Sequence, residues 1–97
     1  MRDKKYCMDR LNDKLTEYMD YLKHGGKSLT EAHIKYGADS DVYKNTLKVL
    51  CEYRATLKRQ VARRAIVCLE LGLTVNDLAM ECVFDYTREL ERGALNE

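Results

Sequence analysis

Residues 25–43 read GGKSLTEAHIKYGADSDVY, and this stretch decides how the chain divides into helices. It holds two adjacent glycines, then Ser28 with Glu31 three positions later, and then Gly37. Glycine commonly follows the end of a helix, and a Ser with a Glu three residues on is the pattern of a helix N-cap. The stretch therefore predicts two helix boundaries with a short helix between them.

Regular apolar spacing predicts helices on both sides of this stretch. A first helix over about 3–23 carries apolar residues at alternating intervals of three and four, and a second long run over about 41–71 keeps one apolar register throughout. A last helix is expected from Thr74, as its N-cap, to about Arg92. We expect an all-α fold, a small bundle of about four helices with one long central helix. The first helix should cover the front half of that central helix and the last helix its rear half.

Composition agrees with a helical chain that forms a single domain over 1–97. The 97 residues include no proline, and charged residues make up 34%, which suits long unbroken helices. This length supports one modest core. The N-terminal sequence lacks an apolar signal segment, and the longest apolar stretch, AIVCLELGL, contains Glu70 and is far shorter than a membrane span. We expect a cytoplasmic protein with no membrane association.

Cysteine and histidine positions do not predict a metal site or an active site. The cysteines stand far apart without a CxxC pair, so we expect buried, reduced thiols rather than zinc ligands or disulfides. Neither His24 nor His33 has a carboxylate or nucleophile partner evident in the sequence. We therefore expect no catalytic residue, no metal, no cofactor and no small-molecule substrate. The four cysteines are Cys7, Cys51, Cys68 and Cys82.

Charge is balanced overall but unevenly distributed. The formal net charge is +1, yet residues 54–64 contain five basic residues and no acid, while seven acids against two arginines follow residue 65. Four of these acids repeat at four-residue intervals and are called the acidic ridge. Like charges at this spacing repel unless cations lie nearby, so pairing with Arg59, Arg63 and Arg64 is expected; docking on a basic surface of another macromolecule is the alternative. The acidic ridge comprises Asp77, Glu81, Asp85 and Glu89.

Apolar residues that lie off the predicted core stripes indicate an interface. At about 100° per residue, Met80 and Phe84 point nearly opposite to the core side of the last helix. Ile66 and Val67 likewise fall off the core stripe of the central helix. A segment that is apolar on both sides needs two partners, so these four residues are the candidate homodimer interface.

Residues 28–50, SLTEAHIKYGADSDVYKNTLKVL, resemble a helix-turn-helix motif. In that family the second helix enters the major groove, which implies DNA contacts by Lys44, Asn45 and Lys48. Arg59 and Arg63 extend the same polar side of the central helix, and all five residues are candidates for binding a partner or a nucleic acid. An ordinary corner between two helices fits the same stretch.

Residues 52–93 also resemble ribbon-helix-helix proteins, which are dimeric DNA binders. The segment LGLTVNDLAMECVFDYTRELERG is similar to the second half of such a protein, and EYRATLK at 52–58 alternates as a ribbon strand would. The resemblance implies a β-strand at 52–58.

Together these patterns predict a small non-enzymatic regulatory protein that binds a macromolecule through a helical, homodimeric surface. A protein partner is favoured slightly over duplex DNA, and an inhibitor of phage or mobile-element type would have this size and charge layout. The alternative is a helix-turn-helix transcriptional regulator that binds DNA.

Overall fold

The computed structural model describes residues 3–96, which form three α-helices: α1 (Lys4–Tyr36), α2 (Asp41–Glu70) and α3 (Asp77–Asn96). The all-α expectation is confirmed, since these residues include no strand. Across this part of the chain, no helix has both the length and the apolar character that crossing a membrane requires.

α1 runs without a break through the double glycine, so the predicted stop at Gly25 and Gly26 is wrong. The short helix expected after them is the last part of α1, and Ser28 lies inside the helix instead of capping it. Residues 3–96 therefore form three helices where four were predicted. α1 ends at Tyr36, before Gly37, as the pattern around that glycine indicated.

Tertiary contacts on both sides of the double glycine explain why the helix continues. A glycine inside a helix costs only about 0.5–1 kcal/mol relative to alanine. Before the glycines, the Tyr21 hydroxyl donates a hydrogen bond to the Leu50 carbonyl of α2 at 2.8 Å. After them, Ala32 is buried. Because α1 is held on both flanks, packing outweighs the low helix propensity of the glycines.

α1 and α2 form an antiparallel hairpin. Near the turn, the rings of His33 and Tyr43 lie 5.5 Å apart between centroids, and at the open end Cys7 and Val67 line one groove. α2 agrees with the helix predicted over about 41–71. However, α1 has 33 residues and α2 has 30, so α2 is not the one long helix, and the prediction that the first helix covers only its front half is wrong.

α3 packs against the second half of α2, where it was predicted. It begins at Asp77, two residues later than expected, because Asn76 rather than Thr74 provides the cap. The Asn76 side-chain oxygen accepts a hydrogen bond from the Ala79 amide at 2.8 Å, which satisfies a donor at the helix start. α3 continues to Asn96, beyond the predicted end near Arg92.

The main core lies where all three helices meet. Three of its residues, Ala62, Ala65 and Ala79, are fully buried alanines, whose small side chains allow the helices to approach closely. This core occupies one end of the hairpin only. Its buried members are Cys7, Leu11, Leu15, Tyr18, Leu57, Val61, Ala62, Ala65, Cys68, Ala79 and Cys82.

The prediction that all four cysteines are buried is wrong for Cys51, which is exposed. Cys7, Cys68 and Cys82 are buried, and all four thiols are free. Burial raises the pKa of Cys68 and of Cys82 above the ordinary thiol value. Because the thiolate is the reactive form, the cysteines should differ strongly in reactivity.

In the folded protein we expect one fast reaction with 5,5′-dithiobis(2-nitrobenzoic acid), at Cys51, and slow reaction of the other three thiols at the rate of unfolding. Absorbance stopped-flow at mildly alkaline pH separates the two phases. The Cys51→Ser variant should lose the fast phase and keep the slow one. More than one fast equivalent in native buffer would contradict the burial of the remaining thiols.

Candidate interaction surfaces

The far end of the hairpin, residues 19–53, lies outside the main core and is called the hairpin arm. The buried core extends from Cys7 to Tyr18 on α1 and from Leu57 to Cys68 on α2, and from the arm only Tyr21 packs against it. α3 contacts α2 beyond the arm, through Lys58 and the residues that follow it. The arm therefore consists of two helices without the third.

Exposed apolar side chains are concentrated in this arm. Ile34 is 78% exposed and Val49 is 61% exposed, values that are high for residues of this type. Elsewhere in the described chain, large exposed apolar side chains occur at four positions: Tyr6, Leu69, Phe84 and Leu90. The arm has eight: Met19, Leu22, Ile34, Tyr36, Val42, Leu47, Val49 and Tyr53.

Two of these side chains continue rows that are buried in the core. On α1, the row at spacings of three and four that includes Leu15 and Tyr18 reaches Leu22, which is 46% exposed. On α2, Leu47 precedes Val61 by two heptads and is 40% exposed. Both leucines belong to the apolar rows that predict the helices over about 3–23 and 41–71. They are exposed because α3 does not extend over this part of the hairpin.

The candidate binding residues of α2 are divided between two environments. Lys44, Asn45 and Lys48 are exposed on the arm. Arg59 and Arg63 instead contact α3: the Arg59 Nε lies 3.1 Å from a Glu89 carboxylate oxygen, and the Arg63 Nε donates to the Tyr86 hydroxyl at 3.5 Å. The arginine side chains thus join α2 to α3, and the structure does not gather the five residues into one site.

Two members of the acidic ridge pair with cations of α2. Asp85 lies 2.5 Å from the Lys58 ammonium, and Glu89 pairs with Arg59. The hydrogen bond from Lys58 holds the pKa of Asp85 below its ordinary value, which extends the ionised range of that carboxylate to lower pH. Arg64, expected as a further cation for the ridge, lines a groove beside α1 instead.

The four candidate interface residues do not form one patch. Phe84 is 57% exposed on α3, while Met80 and Ile66 are half-buried. Val67 packs against the main core and lines the groove between α1 and α2. The exposed part of this set is thus centred on Phe84, and Val67 belongs to a different surface.

Neither DNA-binding resemblance extends to the arrangement of the helices. Residues 28–36 end a long helix that runs antiparallel to α2, whereas the helices of a helix-turn-helix cross at about 90–120°. Residues 52–58, which the ribbon-helix-helix resemblance made a β-strand, lie inside α2. The ribbon interpretation is therefore wrong.

A groove between the start of α1 and the end of α2 was not predicted, and we call it the arginine groove. Its volume is about 480 Å³. Arg10 at its edge packs over the Tyr6 ring, with 5.6 Å from its guanidinium carbon to the ring centroid. The contact between Tyr6 and Arg10 could have been predicted from the sequence, since the two residues are four apart on one helix. Their position beside the end of α2 depends on how the helices pack and could not. The lining residues are Tyr6, Cys7, Arg10, Arg63, Arg64 and Val67.

Over the described residues, no group of three histidine, cysteine or acidic side chains could hold a metal ion. Comparison of the chain with protein families, with curated proteins and with solved structures finds no match. The hairpin arm and the arginine groove are the two surfaces of the described residues that suit the binding of a partner or ligand.

Proposed function

We propose that this protein is a non-enzymatic regulatory protein that acts by binding protein molecules through the hairpin arm, beginning with a second copy of itself. The observation that carries the proposal is the exposure of Leu22 and Leu47. They continue rows that are buried elsewhere in the molecule, so a partner that covered them would extend the core along the hairpin.

A second hairpin would supply the covering helices that the arm lacks. Two antiparallel helix pairs that pack face to face form a four-helix bundle, and a two-fold axis allows the same surface to serve both copies. Burying apolar area provides the free energy of association, at roughly 25 cal/mol per Å² before the costs of binding. The arm therefore suits a helical partner.

Charge on the arm also allows two copies to associate. The arm contains five lysines and five acidic residues, so its net charge is close to zero and two arms do not repel each other over long range.

Because exposed apolar side chains lie on more than one side of the arm, a dimer that covers Leu22 and Leu47 leaves Ile34 and Val49 available to a further protein partner.

Sedimentation velocity over a range of concentrations tests the proposal. The wild-type protein should sediment as a dimer, and the variant Leu22→Glu/Leu47→Glu should sediment as a monomer with an unchanged helical circular dichroism spectrum. An unpaired carboxylate in an apolar interface costs several kcal/mol, which is enough to dissociate a dimer. The control Phe84→Glu also adds charge at an exposed apolar position, but outside the arm, and it should remain dimeric.

A wild-type protein that is monomeric at high micromolar concentration would contradict the proposal. Dissociation by Phe84→Glu, with no effect of the arm variant, would instead place the interface around Phe84, one of the four interface residues that the sequence predicted. DNA binding is the alternative, supported by the exposure of Lys44 and Lys48 on one side of α2. It requires duplex affinity that falls steeply with salt and a smaller slope after both lysines are replaced by alanine.

A further inference from the structure

We infer that the arginine groove is a binding site for a phosphate group. Arg10 from α1 and Arg63 and Arg64 from α2 line the same groove of about 480 Å³. Arg10 precedes the other two by more than fifty residues in the sequence, so only the antiparallel packing of α1 on α2 makes the three arginines line one groove.

These guanidinium groups lack a neutralising carboxylate. Among the side chains that the structure describes, Arg59 and Arg88 lie within ion-pair distance of an acid, whereas Arg10 and Arg63 contact tyrosine hydroxyls. Like charges that share a concave surface repel one another and attract an anion. The groove therefore has a positive charge that a bound anion would compensate.

Arg64 provides a second, independent observation. Its Nε is buried and has no hydrogen-bond partner in the described part of the protein. Buried donors nearly always have an acceptor, because leaving one unsatisfied is costly. An anion in the groove that Arg64 lines would bring acceptor oxygens to this guanidinium.

Phosphate fits the groove better than a single carboxylate. Several guanidinium forks require several acceptor oxygens and more than one negative charge, and a phosphate group has both. The groove is larger than a phosphate ion, and Tyr6, 55% exposed, forms an aromatic wall beside it. The groove therefore has room for a free phosphate ion or for the phosphate group of a larger phosphomonoester.

Titration with inorganic phosphate, followed by two-dimensional amide NMR spectra, tests the site. Ionic strength is held constant with chloride. Residues of α1 and α2 around the groove should shift in a saturable way, and Arg10→Gln and Arg64→Gln should each weaken binding about tenfold, as expected for the loss of a charge-assisted hydrogen bond. Arg88→Gln on α3 is the matched control, since it removes the same guanidinium charge at an exposed position that does not line the groove and should leave binding unchanged.

Adenosine monophosphate distinguishes the two sources of the phosphate group. Tighter binding than inorganic phosphate, lost in Arg10→Gln, would assign the site to a phosphomonoester, and equal binding would assign it to phosphate alone. Phosphate shifts no different from those of chloride would overturn the inference, as would equal weakening by Arg88→Gln. Arg10 is exposed at the rim, so its variant keeps the test valid if Arg64→Gln unfolds. The groove lies outside the arm, so either proposal can fail alone.

Discussion

Replacing Leu57 with alanine should lower the free energy of unfolding by about 3–5 kcal/mol. Leu57 is 1% exposed in the main core, at the point where the third helix stops contributing to the hairpin. The substitution removes apolar contacts and leaves a cavity that tightly packed neighbours cannot fill. Urea denaturation followed by circular dichroism measures the loss.

Leu47→Ala is the matched control on the same helix. Leu47 is 40% exposed, so truncation should cost less than about 1 kcal/mol when measured at concentrations where the protein is monomeric. At higher concentrations the same variant should weaken dimerisation. Equal losses for Leu47→Ala and Leu57→Ala in the monomer would mean that the core extends into the hairpin arm.

A substitution in the turn between α1 and α2 should lower the free energy of unfolding nearly as much as Leu57→Ala does. Gly37 has φ 86° and ψ 160°, a backbone conformation that is essentially restricted to glycine. Its Cβ would meet no neighbouring atom, so the cost of Gly37→Ala comes from the backbone alone. We expect a loss of about 1–3 kcal/mol in the free energy of unfolding, measured by urea denaturation.

Two controls separate backbone strain from other effects. A D-alanine at position 37, introduced by chemical synthesis, accepts this conformation and should restore stability. Gly26→Ala lies inside α1 with open space around it, so it should increase stability by about 0.5–1 kcal/mol. A Gly37→Ala variant as stable as the wild type would show that the turn adopts another conformation, and a destabilised Gly26→Ala would argue against the continuous α1.

Local sequence was sufficient for the helical class, for the bounds of α2 and for the helix end before Gly37. Ser40 caps α2, and its hydroxyl accepts a hydrogen bond from the Tyr43 amide at 3.1 Å. These features depend on interactions within a few residues or on one repeated apolar register. Such interactions can be recognised without knowing what packs against the helix.

Only the tertiary structure determined that the double glycine is helical and that the apolar rows are exposed in the hairpin arm. Gly25 and Gly26 stay helical because α1 is anchored to α2 on both sides of them, a balance that no local pattern expresses. Leu22 and Leu47 have the periodicity of core residues, but burial depends on where α3 ends. The arginine groove likewise exists because antiparallel packing brings Arg10 to Arg64. Helix periodicity specifies which side of a helix is apolar, whereas only the placement of other helices determines whether that side is covered.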